Sequence, residues 1–259
     1  LIRIISFIRA PFLIETKEPH SMNILRFDSE NSWVNGIVSL WRDRLRQKPE
    51  LKMCAPSGQT PIKVFAAMAR SVAAGKVSFK AAEVFLLDEF GGLDRDDAGR
   101  CENMVRRDLV SHIDLPEPQF HTINTDAADL NAVCRDYETK TGAGFDLMIL
   151  GIGTNGHLGM NEPGSAPDST VRRVELADST IKAAARYVSG AQLPVWGVTV
   201  GLKQILGSTE VWVLANGRSK AEIIRRTMTG EADVNVPASL LRHHPNCWFF
   251  LDDAAASLL

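Results

Sequence analysis

The stretch from Asp146 to Gly164 constrains the fold more than any other part of the chain. Leu147 to Leu150 is a short unbroken apolar run, the pattern of a strand buried on both faces as in a parallel sheet. The sequence then turns glycine-rich, with Gly151, Gly153, Gly156, Gly159 and Gly164. Glycine allows tight turns and close backbone approach to a ligand. Among these glycines stand Asn155, His157 and Glu162. An open α/β sheet keeps its chemistry where a buried strand ends in such a loop.

Gly151-x-Gly153-x-x-Gly156 matches the dinucleotide fingerprint, and Glu175 lies near the expected acidic position. That fingerprint has to open a helix, and Gly159, Pro163 and Gly164 oppose one here. A nicotinamide or flavin is therefore disfavoured.

The rest of the chain alternates strand and helix. Strands are expected at 23–27, 51–55, 83–87, 171–176, 196–200, 211–215 and 248–251. Helices are expected from Asp28 or Ser29 to about 47, then at 61–74, 100–111, 127–140, 179–188, 220–229 and 237–243. This order predicts an α/β fold: a doubly wound, mostly parallel, Rossmann-like sheet with helices on both faces. Residues 1–21 are expected to lie outside it. They are apolar but interrupted by Arg3, Arg9 and Pro11, and too short to span a bilayer. His20-Ser21-Met22 reads as a junction before a natural start. Residues 22–259 then form a single domain.

The 259 residues carry a formal net charge of −2, which points to neither nucleic acid nor an anionic membrane as partner. Cys54, Cys101, Cys134 and Cys247 lack zinc-ligand or redox spacing and read as free thiols of a reducing, cytoplasmic protein. No metal-ligand cluster is expected.

Four loops fall after predicted strands, where parallel sheets bind ligands. Ser57, Gly58, Gln59 and Thr60 precede a helix and suit a phosphate cradle, although an ordinary capping turn fits them equally. Asp88 and Glu89 follow an apolar strand. A carboxylate at a desolvated strand end can become a general base, whereas the bland reading is a helix or turn cap. The third loop holds Asn155, His157 and Glu162. The fourth, Gly217-Arg218-Ser219-Lys220, puts Lys220 at a helix N-terminus, where an anion would offset the unfavourable dipole. Arg186, in the predicted helix 179–188, could reach the same anion. Together these suit proton transfer on a small phosphorylated substrate.

On these motifs the chain resembles the glucosamine-6-phosphate deaminase and galactosamine-6-phosphate isomerase family, whose relatives include 6-phosphogluconolactonase. The resemblance runs from about Met22 to Asp253. Besides the loops above it rests on Val198-Thr199-Val200-Gly201-Leu202, Pro237-Ala238-Ser239-Leu240-Leu241 and His244-Pro245-Asn246. Gly156-His157 followed by Asn161-Glu162-Pro163 looks like the deaminase branch. The resemblance implies that Ser57 to Thr60, Gly153, Arg186 and Lys220 hold a sugar 6-phosphate. It implies that His157, oriented by Glu162, opens the pyranose ring, and that Asp88 carries a proton from C2 to C1. Ammonia and a ketose 6-phosphate would leave, and no cofactor would be needed. Asn155 stands where many deaminases have aspartate. With Gln59 and Gly159-Met160 it tilts the expectation slightly toward the galactosamine side. Lactone hydrolysis by His157-activated water is the runner-up. A non-catalytic sugar-phosphate sensor is remote, since no DNA-binding helix pair is visible. A homo-oligomer is allowed but not implied.

Overall fold

A computed structural model describes residues 3–6, 22–190 and 192–259. The main sheet has eight strands. They are β1 (Arg3–Ser6), β2 (Asn23–Phe27), β3 (Lys52–Ala55), β4 (Glu83–Leu86), β6 (Phe120–His121), β7 (Leu147–Gly151), β10 (Glu210–Ala215) and β11 (Cys247–Asp252). Their order is β1-β2-β11-β10-β7-β3-β4-β6, and every pairing is parallel. Most of the stretch 1–21 lies outside the described residues. Within it, Arg3–Ser6 runs alongside Asn23–Arg26.

The helices are α1 (Glu30–Gln47), α2 (Ile62–Ala73), α3 (Cys101–Asp108), α4 (Leu130–Thr141), α5 (Asp178–Ala184), α6 (Leu202–Leu206) and α7 (Ala221–Thr229). Side chains of α1, α2 and α3 pack on one face of the sheet, those of α4, α6 and α7 on the other. Strand β7 shows why both faces must be covered. Leu147 and Ile149 enter the first core, Met148 and Leu150 the second, and all four are fully buried. The period-2 alternation of a strand turns one apolar run into the centre of two cores.

A second, three-stranded sheet departs from the expected pattern. It joins β5 (Asp88–Phe90), β9 (Trp196–Thr199) and β8 (Arg172–Glu175), in that order, with antiparallel pairs. The apolar run 83–87 therefore does not continue as one strand. It leaves the main sheet at Leu86, and the next residues pair with β9 instead. Two predicted helices also change. The one at 179–188 stops at Ala184, and 237–243 is a 3₁₀ stretch that begins with Pro237.

The strand order creates the crevice. From β3 the chain proceeds outward through β4 to β6, and from β7 it proceeds the opposite way through β10 to β11. The loops after β3 and β7 diverge at this reversal, which is where open parallel sheets bind ligands.

Candidate active site

The loop after β7 is shaped by its glycines. Gly156 and Gly159 have φ of +90° and +60°, values that favour glycine. No helix follows; the chain turns back on itself through a bridge between Leu158 and Asn161. A Cβ on Gly153 would lie 2.3 Å from Cε1 of His157, so the imidazole rests directly on the Gly153 backbone.

His157 Nδ1 lies 3.4 Å from Glu162 Oε2 and 3.3 Å from Thr180 Oγ1. Glu162 collects donors on both oxygens. The Thr180 hydroxyl donates to Oε1, as does the backbone N–H of Ala177 at 3.4 Å, and Asn155 Nδ2 donates to Oε2 at 2.8 Å. Burial by itself would raise the Glu162 pKa. The hydrogen bond and charge of His157, with Thr180 and Asn155, overcome it and hold the carboxyl at about 2. Asn155 Oδ1 accepts from the backbone N–H of His157 at 3.1 Å, so this side chain braces the loop and the acid, not the imidazole.

Asp88 opens β5 just past the end of β4 and is 7% exposed. Burial raises its pKa to about 6, against a hydrogen bond from Cys101 and the charge of His157. A Cβ on Gly159 would come within 3.3 Å of Asp88 Oδ2. The glycine loop thus carries His157 on one side and lets Asp88 approach on the other.

The neighbouring Glu89 does something different. Fully buried, it accepts the backbone N–H groups of Phe90, Cys101 and Glu102 at 2.8, 2.8 and 2.9 Å. Two of these donors open α3, so Glu89 is a helix cap. The adjacent carboxylates divide the two readings made from sequence: Asp88 faces the crevice and Glu89 holds the fold.

The phosphate-type loop lies after β3. Gly58 has φ +94°, α2 begins without a side-chain cap, and a Cβ on Gly58 would approach the Tyr187 hydroxyl at 3.5 Å. Tyr187 and the adjacent Arg186 follow α5, and the Arg186 Nε donates to Ala183 O at 3.0 Å. Lys220 sits at the start of α7 and donates to Ile152 O at 2.6 Å, which brings it back over the end of β7. Burial, and then the positive charge of Arg186, lower the Lys220 pKa. Among the described residues neither cation has a carboxylate partner. Two cations without a carboxylate partner that raise one another's cost, with Tyr187 next to Arg186 reaching the loop that opens α2, are an arrangement that suits an anion.

The crevice therefore gathers Ser57 to Thr60, Asp88, Gly153, Asn155, His157, Glu162, Arg186 and Lys220. Sequence reasoning missed Thr180, which lies within the predicted helix with no distinguishing motif.

Residues 28–249 match the family described as glucosamine-6-phosphate isomerases/6-phosphogluconolactonase. The chain belongs to this family. It is 33% identical over 240 residues to a glucosamine-6-phosphate deaminase of Shouchella clausii strain KSM-K16, covering 92% of this chain and 97% of the relative. It is 36% identical over 235 residues to one of Rhodopirellula baltica, covering 90% and 92%. Among solved structures, a monomeric glucosamine-6-phosphate deaminase superposes with a TM-score of 0.88 at 31% identity, over 92% of this chain and all of that one. The 6-phosphogluconolactonase of Trypanosoma brucei shares the fold, with a TM-score of 0.73 at 21% identity over 94% of this chain and all of that one. The family membership agrees with the α/β, mostly parallel sheet seen here. No helix among the described residues is long and apolar enough to cross a membrane.

Proposed function

We propose that this chain is a hexosamine-6-phosphate deaminase acting on glucosamine 6-phosphate, in the cytoplasm and without a cofactor. The observation that carries the reading is the pairing of two separate acid–base devices across one glycine loop: the His157–Glu162 pair that the loop carries and the buried Asp88 of β5 that faces Gly159. The C2 proton of an aminosugar becomes acidic only in the open aldehyde form. One device must therefore open the ring and a second must move the proton. Lactone hydrolysis, by contrast, needs a single group to activate water.

In this mechanism the 6-phosphate lies on the Ser57–Thr60 loop, Arg186 and Lys220. His157, oriented by Glu162, moves a proton from the C1 hydroxyl to the ring oxygen, and the pyranose opens. Asp88 as carboxylate takes the C2 proton and returns it to C1, which converts the open amino-aldose into a ketimine. Water adds at C2 and the C–N bond breaks, leaving fructose 6-phosphate and ammonia. A pKa of about 6 keeps Asp88 largely ionised near neutrality while leaving it basic enough to hold the proton in transit.

The test is ammonia release from glucosamine 6-phosphate and galactosamine 6-phosphate side by side, with 6-phosphogluconolactone as a third substrate. The expected result is ammonia from an aminosugar phosphate and little lactone hydrolysis. Rapid lactone hydrolysis with no ammonia would overturn the reading. The galactosamine arm decides whether Asn155, Gln59 and Gly159-Met160 alter the preference at C4.

A further inference from the structure

The geometry around Thr180 points to a role for this residue in fixing the tautomer of His157. We propose that Thr180 is a positioning residue that forces the neutral imidazole to carry its proton on Nδ1, leaving the Nε2 lone pair for the substrate. For its catalytic consequence the proposal rests on the deaminase reading above; the tautomer itself does not.

Hydrogen-bond accounting carries the inference. A threonine hydroxyl has one proton and can also accept. Ionised Glu162 can only accept, so the Thr180 proton is committed to Glu162 Oε1. The Thr180 oxygen is then left facing His157 Nδ1 at 3.3 Å with lone pairs alone. The other neighbour of Nδ1 is Glu162 Oε2 at 3.4 Å, again a pure acceptor. A bare nitrogen there would meet two oxygen lone pairs and no proton. Nδ1–H gives the Thr180 oxygen its proton and points a positive hydrogen, not a lone pair, toward the carboxylate.

The surroundings allow little escape from this arrangement. Thr180 is 8% exposed and its own N–H is held by Ala177 O at 2.9 Å. The imidazole lies flat on Gly153, so it cannot readily turn over to exchange its nitrogens. Asn155 fills Glu162 Oε2 from the other side at 2.8 Å and keeps the carboxylate from swinging to meet the ring alone. A single short segment also joins the two halves of the site. Thr180 lies near the start of α5, and Arg186 follows its end.

The experiment combines ¹⁵N NMR of the histidine rings with kinetics, on wild type, Thr180→Val and Thr180→Ser. A His157→Gln sample assigns the resonances, and spectra are taken where the ring is neutral. Wild type is expected to show a protonated-type Nδ1 and an unprotonated-type Nε2. Thr180→Val, close in shape but lacking the hydroxyl, should mix the two tautomers. It should lower kcat roughly ten- to a hundredfold, the scale of a hydrogen bond to a charged group, with KM within about twofold. Thr180→Ser should restore both readouts. A wild-type ring protonated on Nε2, or a Thr180→Val ring with unchanged tautomer populations, would overturn the proposal. Absence of ammonia release by wild type would instead refute the deaminase reading, and the spectra would still decide the tautomer.

Discussion

The amide of Asn155 donates to Glu162 Oε2 at 2.8 Å while its carbonyl oxygen accepts the backbone N–H of His157. Both ends of the amide thus hold the acid and the loop backbone, and the imidazole is reached only through them. Asn155→Asp would replace a donor to Glu162 by a second carboxylate at hydrogen-bond distance. Like charges so close share a proton, so the upper ionisation of the pair should rise well above the value near 2 that Glu162 has now. The acid limb of the kcat/KM–pH profile should then move to higher pH. A limb that stays put would mean that the charge on this pair does not govern the acid side.

Lys220→Ala tests the anion site. Lys220 and Arg186 oppose one another's charge without a carboxylate between them, a strain that a phosphate dianion would relieve. The variant should bind glucosamine 6-phosphate more weakly by about 1.5–3 kcal/mol, the range for a hydrogen bond to a charged group. Unphosphorylated glucosamine should lose little. Calorimetric titration with both sugars checks this, and an equal loss for both would place Lys220 away from the phosphate.

Much of this site was legible before the fold was known, for a definable reason. Asp88, His157 and Lys220 all follow apolar runs, and an apolar run bounded by glycine or by charge marks a strand end. What sequence could not tell is which neighbour each group meets. Asp88 and Glu89 are indistinguishable as letters. Only the pairing of β5 with β9 turns one toward the glycine loop and the other onto the start of α3. The antiparallel β5-β9-β8 sheet was hidden likewise, because β5 meets β9 only across more than a hundred residues of sequence. Thr180 needed the tertiary fold outright, since nothing local distinguishes it from a solvated helix residue.

Gly153→Ala probes the seat of the imidazole. The backbone at Gly153 is not among the positive-φ glycines, so alanine brings no conformational strain. Its Cβ would meet Cε1 of His157 at 2.3 Å, and the ring must move. Displacement of a reacting group by about 1 Å can cost on the order of 10²-fold in rate. Activity should fall by about that factor while the thermal midpoint changes little. A variant with full activity would show that the ring position tolerates the shift.

Asp88→Asn should separate catalysis from stability. As the proton carrier, Asp88 must be ionised, so activity should disappear as pH falls through about 6, and the amide variant should lose about two to four decades in rate at pH values where wild-type Asp88 is ionised. Stability runs the other way. The folded-state pKa is raised above the model-peptide value of 3.8, so between 3.8 and about 6 the folded chain holds a proton that the unfolded chain has released. Wild-type stability therefore declines as pH rises through that window. Above it, the buried charge costs about 3 kcal/mol, at about 1.4 kcal/mol for each tenfold change in proton affinity. The neutral asparagine escapes this penalty. Asp88→Asn should thus be more stable than wild type at pH 8, by up to about 3 kcal/mol in denaturant unfolding, with the margin closing below pH 4. Glu89 is also held against a desolvation cost, burial raising its pKa to about 7, but Glu89→Gln removes one of the two oxygens that accept the first N–H groups of α3, so any gain there is set against a weakened helix start. An Asp88→Asn protein that is less stable than wild type at pH 8 would show that the carboxylate is not held there against a desolvation cost.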